Sequence, residues 1–493
     1  MKGLLNFIIN KKVILFTIAL LLLNFILKIF FLASNDIARD EPFSIYHAQM
    51  KIPEIIAYLK MGNNPPLYEI ILHFWIKLFG ISAFSVRLPS LIFSCLTAWC
   101  IFKTGKFLFS FSTGAVASLV FTFATLHTYY AHEARVYPLF ILLAMLSFLL
   151  LMKYLKDNKK IFLVLLCVTD ILLIYAHYFG FFILFNQLLS LLFYKQKKLN
   201  YKLIALVAGG VILSFVPMLT SFVIQLYYSV DRGTWVEPPL MNQYYGFLNI
   251  FINNKYNTFV FLALITVLVI NFLIKKNPSG HFIEKDKQKP VLLVFLWFFL
   301  PYSIMFIASF KAPMFIERYI VFTSVFYYLA IASFICLSKT NKILKASLIL
   351  IFLAGVIISY NIKPYNNRDI SKAVSFTKDN KTDSTLVFVC PDYDYIAFTY
   401  HYNSVFFNNY NQTKDLLAKD NVFPVSSKAE VMKILSQKRC NQVVYFQSIS
   451  QFVDHKDEIY SFLSHQFDIK EKKSFFEIYT VTVMEVPKVS LMY

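Results

Sequence analysis

Glycine is scarce in this chain, at 12 of 493 residues, where about 7% is ordinary. Transporters that pass substrate through broken helices place glycine and proline near the bilayer midplane. The shortage therefore argues against a secondary transporter or a lipid-linked-sugar flippase. Charge is scarce too: 15% of residues are charged, against about a quarter in a soluble domain. The deficit falls on the acidic side, with 28 Asp and Glu against 48 Lys and Arg. Cysteine is limited to 6 residues with no C-x-x-C pair, and no H-E-x-x-H, P-loop or G-x-G-x-x-G is present. These absences argue against a zinc peptidase and against a nucleotide-driven machine.

Apolar side chains are abundant. Hydrophobic residues make up 58% and aromatic residues 18%, with a mean hydropathy of +0.57, so lipid solvates most of the chain. Runs of about 20 apolar residues cross a bilayer as helices. They occur at 13–33, 84–108, 113–130, 136–153, 161–178, 179–194, 203–226, 257–274, 291–310, 319–338 and 343–361. The reading is a polytopic α-helical membrane protein with about 11 transmembrane helices. Lysine concentrates in alternate connections, at 103–106, 153–160, 195–202, 275–289 and 339–345, and Lys2, Lys11 and Lys12 precede the first run. Positive loops stay in the cytoplasm, which puts the N-terminus inside and, with an odd number of spans, the C-terminus outside. The net charge of +20 is thus orientation rather than a nucleic-acid footprint. The first run is longer than the ~7–15 residues of a signal-peptide core and lacks a good cleavage site, so it reads as an anchor.

The outer face carries the long segments. Residues 34–83 exceed a simple connection, and 53–61 and 66–79 read as short helices lying in the interface, with Leu67, Ile70, Ile71, Phe74, Trp75 and Leu78 at helical spacing. Residues 227–256 read as a second outer loop, with Tyr227, Tyr228, Asp231, Arg232 and Trp235. After Tyr360 the composition turns polar. Residues 1–361 form a transmembrane domain and 362–493 a soluble extracytoplasmic domain, with strand-like runs at 385–390, 443–447 and 478–486 alternating with helical patterns at 429–437 and 457–465. That alternation predicts an α/β or α+β fold. Cys95, Cys100, Cys167 and Cys336 fall in the apolar runs, whereas Cys390 and Cys440 lie outside, where an oxidising compartment permits a disulfide.

Polar strings recur at the outer ends of the spans. They are Asp40-Glu41, Asn63-Asn64-Pro65-Pro66-Leu67-Tyr68, the string 131–137 containing Glu133, Arg135 and Tyr137, the string 175–180 containing His177 and Tyr178, and the string 311–319 with Lys311, Glu317, Arg318 and Tyr319. Singly, each serves as an interfacial anchor or a local salt bridge that staples a loop. Carboxylates and guanidinium groups from five connections on one face describe a site.

Taken in order, these strings resemble the GT-C glycosyltransferases, in particular the bacterial relatives of protein O-mannosyltransferases and lipid A aminoarabinose transferases. The resemblance covers roughly residues 1–340. One departure stands before the proline pair, where this family often has histidine and this chain has Asn64, which hydrogen-bonds but takes no proton. The resemblance implies a polyprenyl-phosphate sugar donor entering from the bilayer and a lipid, glycan or protein acceptor; membrane lipids are a further expected partner, and nucleic acid is not. Phosphate is a good leaving group, so it needs cations rather than an acid; Arg135, Arg318 and Lys311 are the candidates, arginine's fork suiting phosphate oxygens. The acceptor hydroxyl needs a base, and Asp40 is the candidate the family pattern suggests, with Glu41 or Glu133 orienting the acceptor or fixing an arginine. Asn64, Tyr68, Tyr137, His177, Tyr178, Glu317 and Tyr319 are assigned to positioning substrate.

One base and one leaving group imply a single displacement with inversion. No cofactor is implied; a divalent metal has room beside Asp40-Glu41, and no second carboxylate cluster demands one. The enzymatic rival is an O-antigen polymerase or ligase, whose chemistry lies in a large late loop, whereas here the charged groups come early. The topology predicts that single cysteines introduced at Asn63 and Ser427, with the native cysteines replaced, react with a membrane-impermeant thiol reagent in intact cells. Protection of both refutes the scheme.

Overall fold

A bilayer core offers backbone N–H and C=O groups no water, so apolar runs of this length close their hydrogen bonds internally as helices. The computed structural model describes residues 2–62, 64–193, 199–231, 234, 236–274, 283–364, 369–476 and 478–487. Asn63, Arg232, Trp235 and the lysine-rich stretches 195–198 and 275–282 lie outside the described residues. Two units form. One comprises Met1–Leu32, Pro53–Ile71 and Arg87–Pro364; the other comprises Ala33–Ile52, Leu72–Val86 and Tyr365–Tyr493.

The first unit is helical. Asn10–Ile29, Ala83–Leu108, Tyr137–Asp157, Lys285–Ala308 and Glu317–Leu337 are each long and apolar enough to cross a membrane. Two further pairs, Phe111–Thr122 with Thr125–Ala131 and Tyr201–Ser214 with Val216–Asp231, bend by 62° and 67° and bring the number to seven if each is one span. The second bend sits just before Pro217, which lacks an N–H and restricts the residue ahead of it. At the first bend a distant side chain completes the backbone. Asn253 Oδ1 accepts from Thr125 N at 2.7 Å, and its Nδ2 donates to the carbonyls of Phe123 and Val356, both at 2.9 Å. The scarce glycine is placed where backbones touch: a Cβ on Gly105 would lie 2.5 Å from Gly114 Cα, so the helices Ala83–Leu108 and Phe111–Thr122 meet as small-residue membrane contacts do.

The expected interfacial helices appear as Ile52–Leu59 and Leu67–Phe79. The expected loop at 227–256 differs. Helix Val216–Asp231 extends into it, and Met241–Phe251 forms a helix of its own. Gln243 Oε1 accepts from Leu240 N at 2.8 Å at its start, while Tyr244 packs on Tyr302 and Phe306 and Phe247 packs on Phe315. Tertiary packing of that aromatic face makes a helix where local composition reads as loop.

The second unit contains a five-stranded sheet, β1 (Thr385–Cys390), β2 (Val422–Pro424), β3 (Gln442–Gln447), β4 (Asp468–Phe475) and β5 (Tyr479–Glu485), in the order β2-β1-β3-β5-β4. The first three are parallel, and β5 pairs antiparallel with both β3 and β4. Side chains alternate along β1, so Val387 and Val389 enter one apolar cluster with Ile370, Val374 and Phe398. Leu386, Phe388 and Cys390 enter another, with Val431, Ile459 and Leu463. The sheet is therefore covered by helices on both faces, and its edge strand β4 carries exposed Lys470, Glu471, Lys472 and Lys473, which discourage pairing with another chain. Cys390 and Cys440 are both free thiols packed in or against the second cluster.

Replacing Asn253 by alanine leaves the groups of Phe123, Thr125 and Val356 without their partner. Each buried unsatisfied group costs ~1–3 kcal/mol. Asn253→Ala is expected to lower the thermal unfolding midpoint of the detergent-solubilised protein by several degrees, and an unchanged midpoint would show that the bend needs no plug.

Candidate active site

In the first unit three of the polar strings, at 131–137, 175–180 and 311–319, meet through aromatic rings. The turn after helix Thr125–Ala131 carries Glu133 and Arg135, both buried, and tightens as Arg135 N donates to Glu133 O at 2.9 Å. Ser90 Oγ holds the Arg135 carbonyl at 3.5 Å. The Arg135 guanidinium lies 5.9 Å from the Tyr137 ring, and that of Arg318 lies 5.6 Å from the Tyr319 ring. His177, at the end of helix Lys160–Ala176, joins the two: its ring is 6.4 Å from Tyr137 and 5.8 Å from Tyr319, with Phe140 and Phe179 beside it. Both guanidinium groups act electrostatically on His177. Glu133 and Glu317 likewise both act on the Tyr130 phenol, whose ring is 5.3 Å from Tyr137. Two cations and two carboxylates from two connections thus lie about one aromatic group, to which a third connection contributes His177.

His177 has a defined tautomer. Its Nδ1 accepts from Phe179 N at 3.2 Å, so the proton sits on Nε2, which is buried and has no hydrogen-bond partner among the described residues. A buried donor without an acceptor is unfavourable by about 1–3 kcal/mol, and an anionic ligand oxygen would remove that penalty.

Not every expected residue joins this group. Lys311 is exposed on the turn after helix Lys285–Ala308, away from this group of rings. Tyr178, although adjacent to His177, turns into a separate apolar cluster with Phe215 and Phe222. Tyr68 is fully buried in the first turn of helix Leu67–Phe79, and Asn64 is half-buried ahead of it.

Sequence reasoning passed over a buried polar group of the same unit. Lys28 Nζ donates to Ser94 Oγ at 2.9 Å and lies 4.6 Å from the Phe121 ring, His132 Nε2 donates to the Lys28 carbonyl at 2.7 Å, and Arg87 Nη1 donates to the Leu32 carbonyl at 3.0 Å. The signal was there, because a lysine and an arginine inside apolar runs require interior partners.

Asp40 and Glu41 belong to the second unit. Arg39 adopts φ 58°, a left-handed conformation uncommon for a side chain with a Cβ. The chain then enters helix Glu41–Ala48, whose N-cap is Asp40. The Asp40 carboxylate makes no cap hydrogen bond, Glu41 is buried, and Asp40 is half-buried. His47, at the other end of this helix, is buried against Phe43 and donates from Nδ1 to the Phe43 carbonyl at 2.6 Å. Burial pushes its imidazole down to about 4. Among the described residues no group of three or more His, Cys, Asp or Glu side chains is arranged to hold a metal ion.

The sequence and the fold can be compared with known proteins. Residues 63–220 match the family model for dolichyl-phosphate-mannose-protein mannosyltransferases. No curated protein matches by sequence. Among solved structures, ArnT from Cupriavidus metallidurans in the apo state has a TM-score of 0.60 at 10% identity, over 96% of this chain and 98% of that one. ArnT of the same organism bound to undecaprenyl phosphate has a TM-score of 0.55 at 12% identity with the same coverage. The Archaeoglobus fulgidus oligosaccharyltransferase complexed with Zn and sulfate has a TM-score of 0.53 at 14% identity, over 88% of this chain and 68% of that one. The chain shares its fold with ArnT and with the archaeal oligosaccharyltransferase, in keeping with the motif resemblance.

His47, at the far end of the helix that Asp40 caps, generates a pH prediction. The folded state holds His47 below the ordinary value of 6.5, so the stability tied to its neutral form is complete above that value. It is lost as pH falls toward 4, on the order of 1–2 kcal/mol by about pH 5. The drop in unfolding midpoint between about pH 7.5 and about pH 5 is expected to shrink in His47→Gln; an identical drop would mean that His47 does not titrate there.

Proposed function

We propose that this protein is an inverting glycosyltransferase that moves a sugar from a polyprenyl-phosphate donor to an acceptor hydroxyl on the outer face of a bacterial plasma membrane. The observation that carries the reading is the convergence of Arg135 and Arg318 on the ring group about His177. Two guanidinium groups and a buried imidazole N–H are a donor set for phosphate oxygens. The family-model match covers the strings from Asn64 to Tyr178, and a protein of the same fold has been crystallised with undecaprenyl phosphate. Both support a lipid phosphate as the ligand.

The chemistry is a single displacement. The acceptor oxygen forms its bond to the anomeric carbon as the bond from that carbon to the phosphate oxygen breaks. The phosphate leaves with the electron pair as polyprenyl phosphate, its charge held by Arg135 and Arg318. The acceptor proton passes to the carboxylate of Asp40, a step worth typically ~10²–10⁴-fold. Glu133 and Glu317 keep the arginines oriented, Tyr137 and Tyr319 flank them, and Glu41 orients the acceptor. Attack from the face opposite the phosphate inverts the configuration.

Membranes containing the protein, supplied with radiolabelled polyprenyl-phosphate sugars, are expected to lose label from one donor to an acceptor. Asp40→Asn keeps the side chain's size and removes the base; transfer should fall on the order of 10²-fold or more with donor binding retained. Arg135→Ala and Arg318→Ala should weaken donor binding instead, as charge-assisted contacts are lost. A folded Asp40→Asn protein with near-normal turnover would remove Asp40 as the base. Arginine variants that bind donor normally would make those side chains loop staples.

A further inference from the structure

The segment that carries Asp40 is built into the C-terminal fold. Helix Ile370–Asp379 cannot cap itself: its N-cap residue Asp369 stands at φ 51° and makes no side-chain cap bond. The first-turn N–H groups of a helix need an acceptor and favour negative charge. Asp36 supplies both from far away in the chain, its Oδ2 accepting from Ser371 N at 2.9 Å and from Ser371 Oγ at 2.8 Å. Beside it, His401 Nε2 donates to the Ile37 carbonyl at 2.8 Å, and Ala38 is buried in the apolar cluster with Ile370, Ala373 and Val374. On the far side of Asp40, Tyr46 Oη donates to the Tyr410 carbonyl at 2.8 Å and lies 3.2 Å from Thr413 Oγ1. Its ring packs edge-on against Tyr395 and Phe407, and Gln49 Nε2 donates to the Phe407 carbonyl at 3.2 Å.

We infer that the C-terminal domain is a mount for the catalytic turn, and that Asp36, Ser371 and Tyr46 are positioning residues for transfer. The inference rests on Asp40 as the base. The anchors lie four residues before Asp40 and six after it, so the twist at Arg39 is held from both ends by groups that belong to neither donor nor acceptor. A base must reach its proton within hydrogen-bond distance, and a displacement of about 1 Å costs up to ~10²-fold in rate. Loosening either anchor therefore acts on turnover, through Asp40, without acting on the arginines that hold the donor.

The test uses the full-length protein in membranes with a labelled polyprenyl-phosphate sugar. Tyr46→Phe removes one hydroxyl and keeps the packing; Ser371→Ala removes one of two bonds to Asp36; Asp36→Asn weakens both. Each variant whose unfolding midpoint stays at the wild-type value is compared, Tyr46→Phe being the most conservative. Turnover at saturating donor is expected to fall on the order of 10-fold, with the donor KM unchanged. In an Asp40→Asn background the same substitutions are expected to cause no further loss, because residues acting through one group are not additive. Wild-type turnover in all three variants overturns the mount and leaves Asp40 standing as the base. Equal losses in both backgrounds, or loss of donor binding alongside turnover, likewise overturn it, since a general structural role predicts those. Near-normal turnover of Asp40→Asn alone overturns the base assignment, and with it the mount.

Discussion

A polar group inside a bilayer has no water to fall back on, and much of this structure answers that constraint. Asn253 plugs a bend with three backbone contacts. Asp170 is held by Ser147 and Gln187, and Trp297 by Ser190. Lys28 finds a serine and an aromatic face. The same constraint bears on His177, whose buried Nε2 has no hydrogen-bond partner among the described residues, as is also true of His132 Nδ1 and Tyr178 Oη. His177 stands where the guanidinium groups of Arg135 and Arg318 both act, which is why the proposed phosphate site centres on it.

Much of this was legible in the sequence, for definite reasons. Apolar runs announce helices because lipid enforces internal hydrogen bonding, so Tyr137–Asp157 and Glu317–Leu337 could be placed from hydropathy. The gathering of Arg135, His177 and Arg318 follows from topology: strings at the same ends of antiparallel spans share a level. The alternation of strand-like runs with helical patterns likewise predicted an α/β or α+β domain, where the five-stranded sheet and its helices form.

What stayed hidden depends on side-chain direction or on distant partners. Tyr178 and His177 are neighbours in sequence, yet one turns to Phe215 and the other to Tyr137. Lys311 shares a string with Arg318 but ends exposed, because the chain turns between them. The bend at Phe123 contains neither proline nor glycine, and its partner Asn253 comes from another helix end. Glycine content therefore misjudges how many spans are broken. The scarcity that argued against a transporter did not prevent two bent pairs.

The cap that Asp36 places on the helix beginning at Ile370 joins residues 335 positions apart, and this has a consequence for biogenesis. A ribosome adds about 5–20 residues per second, so the Asp36 segment emerges roughly 17–70 s before the helix it completes. During that interval the spans insert one after another, while the turn bearing Asp40 lacks the fold that shapes it. A truncated or stalled chain thus carries Arg135 and Arg318 without the packed turn at Asp40. Residues synthesised late complete a segment synthesised early, so the turn at Asp40 takes its final form only after the helix beginning at Ile370 has folded.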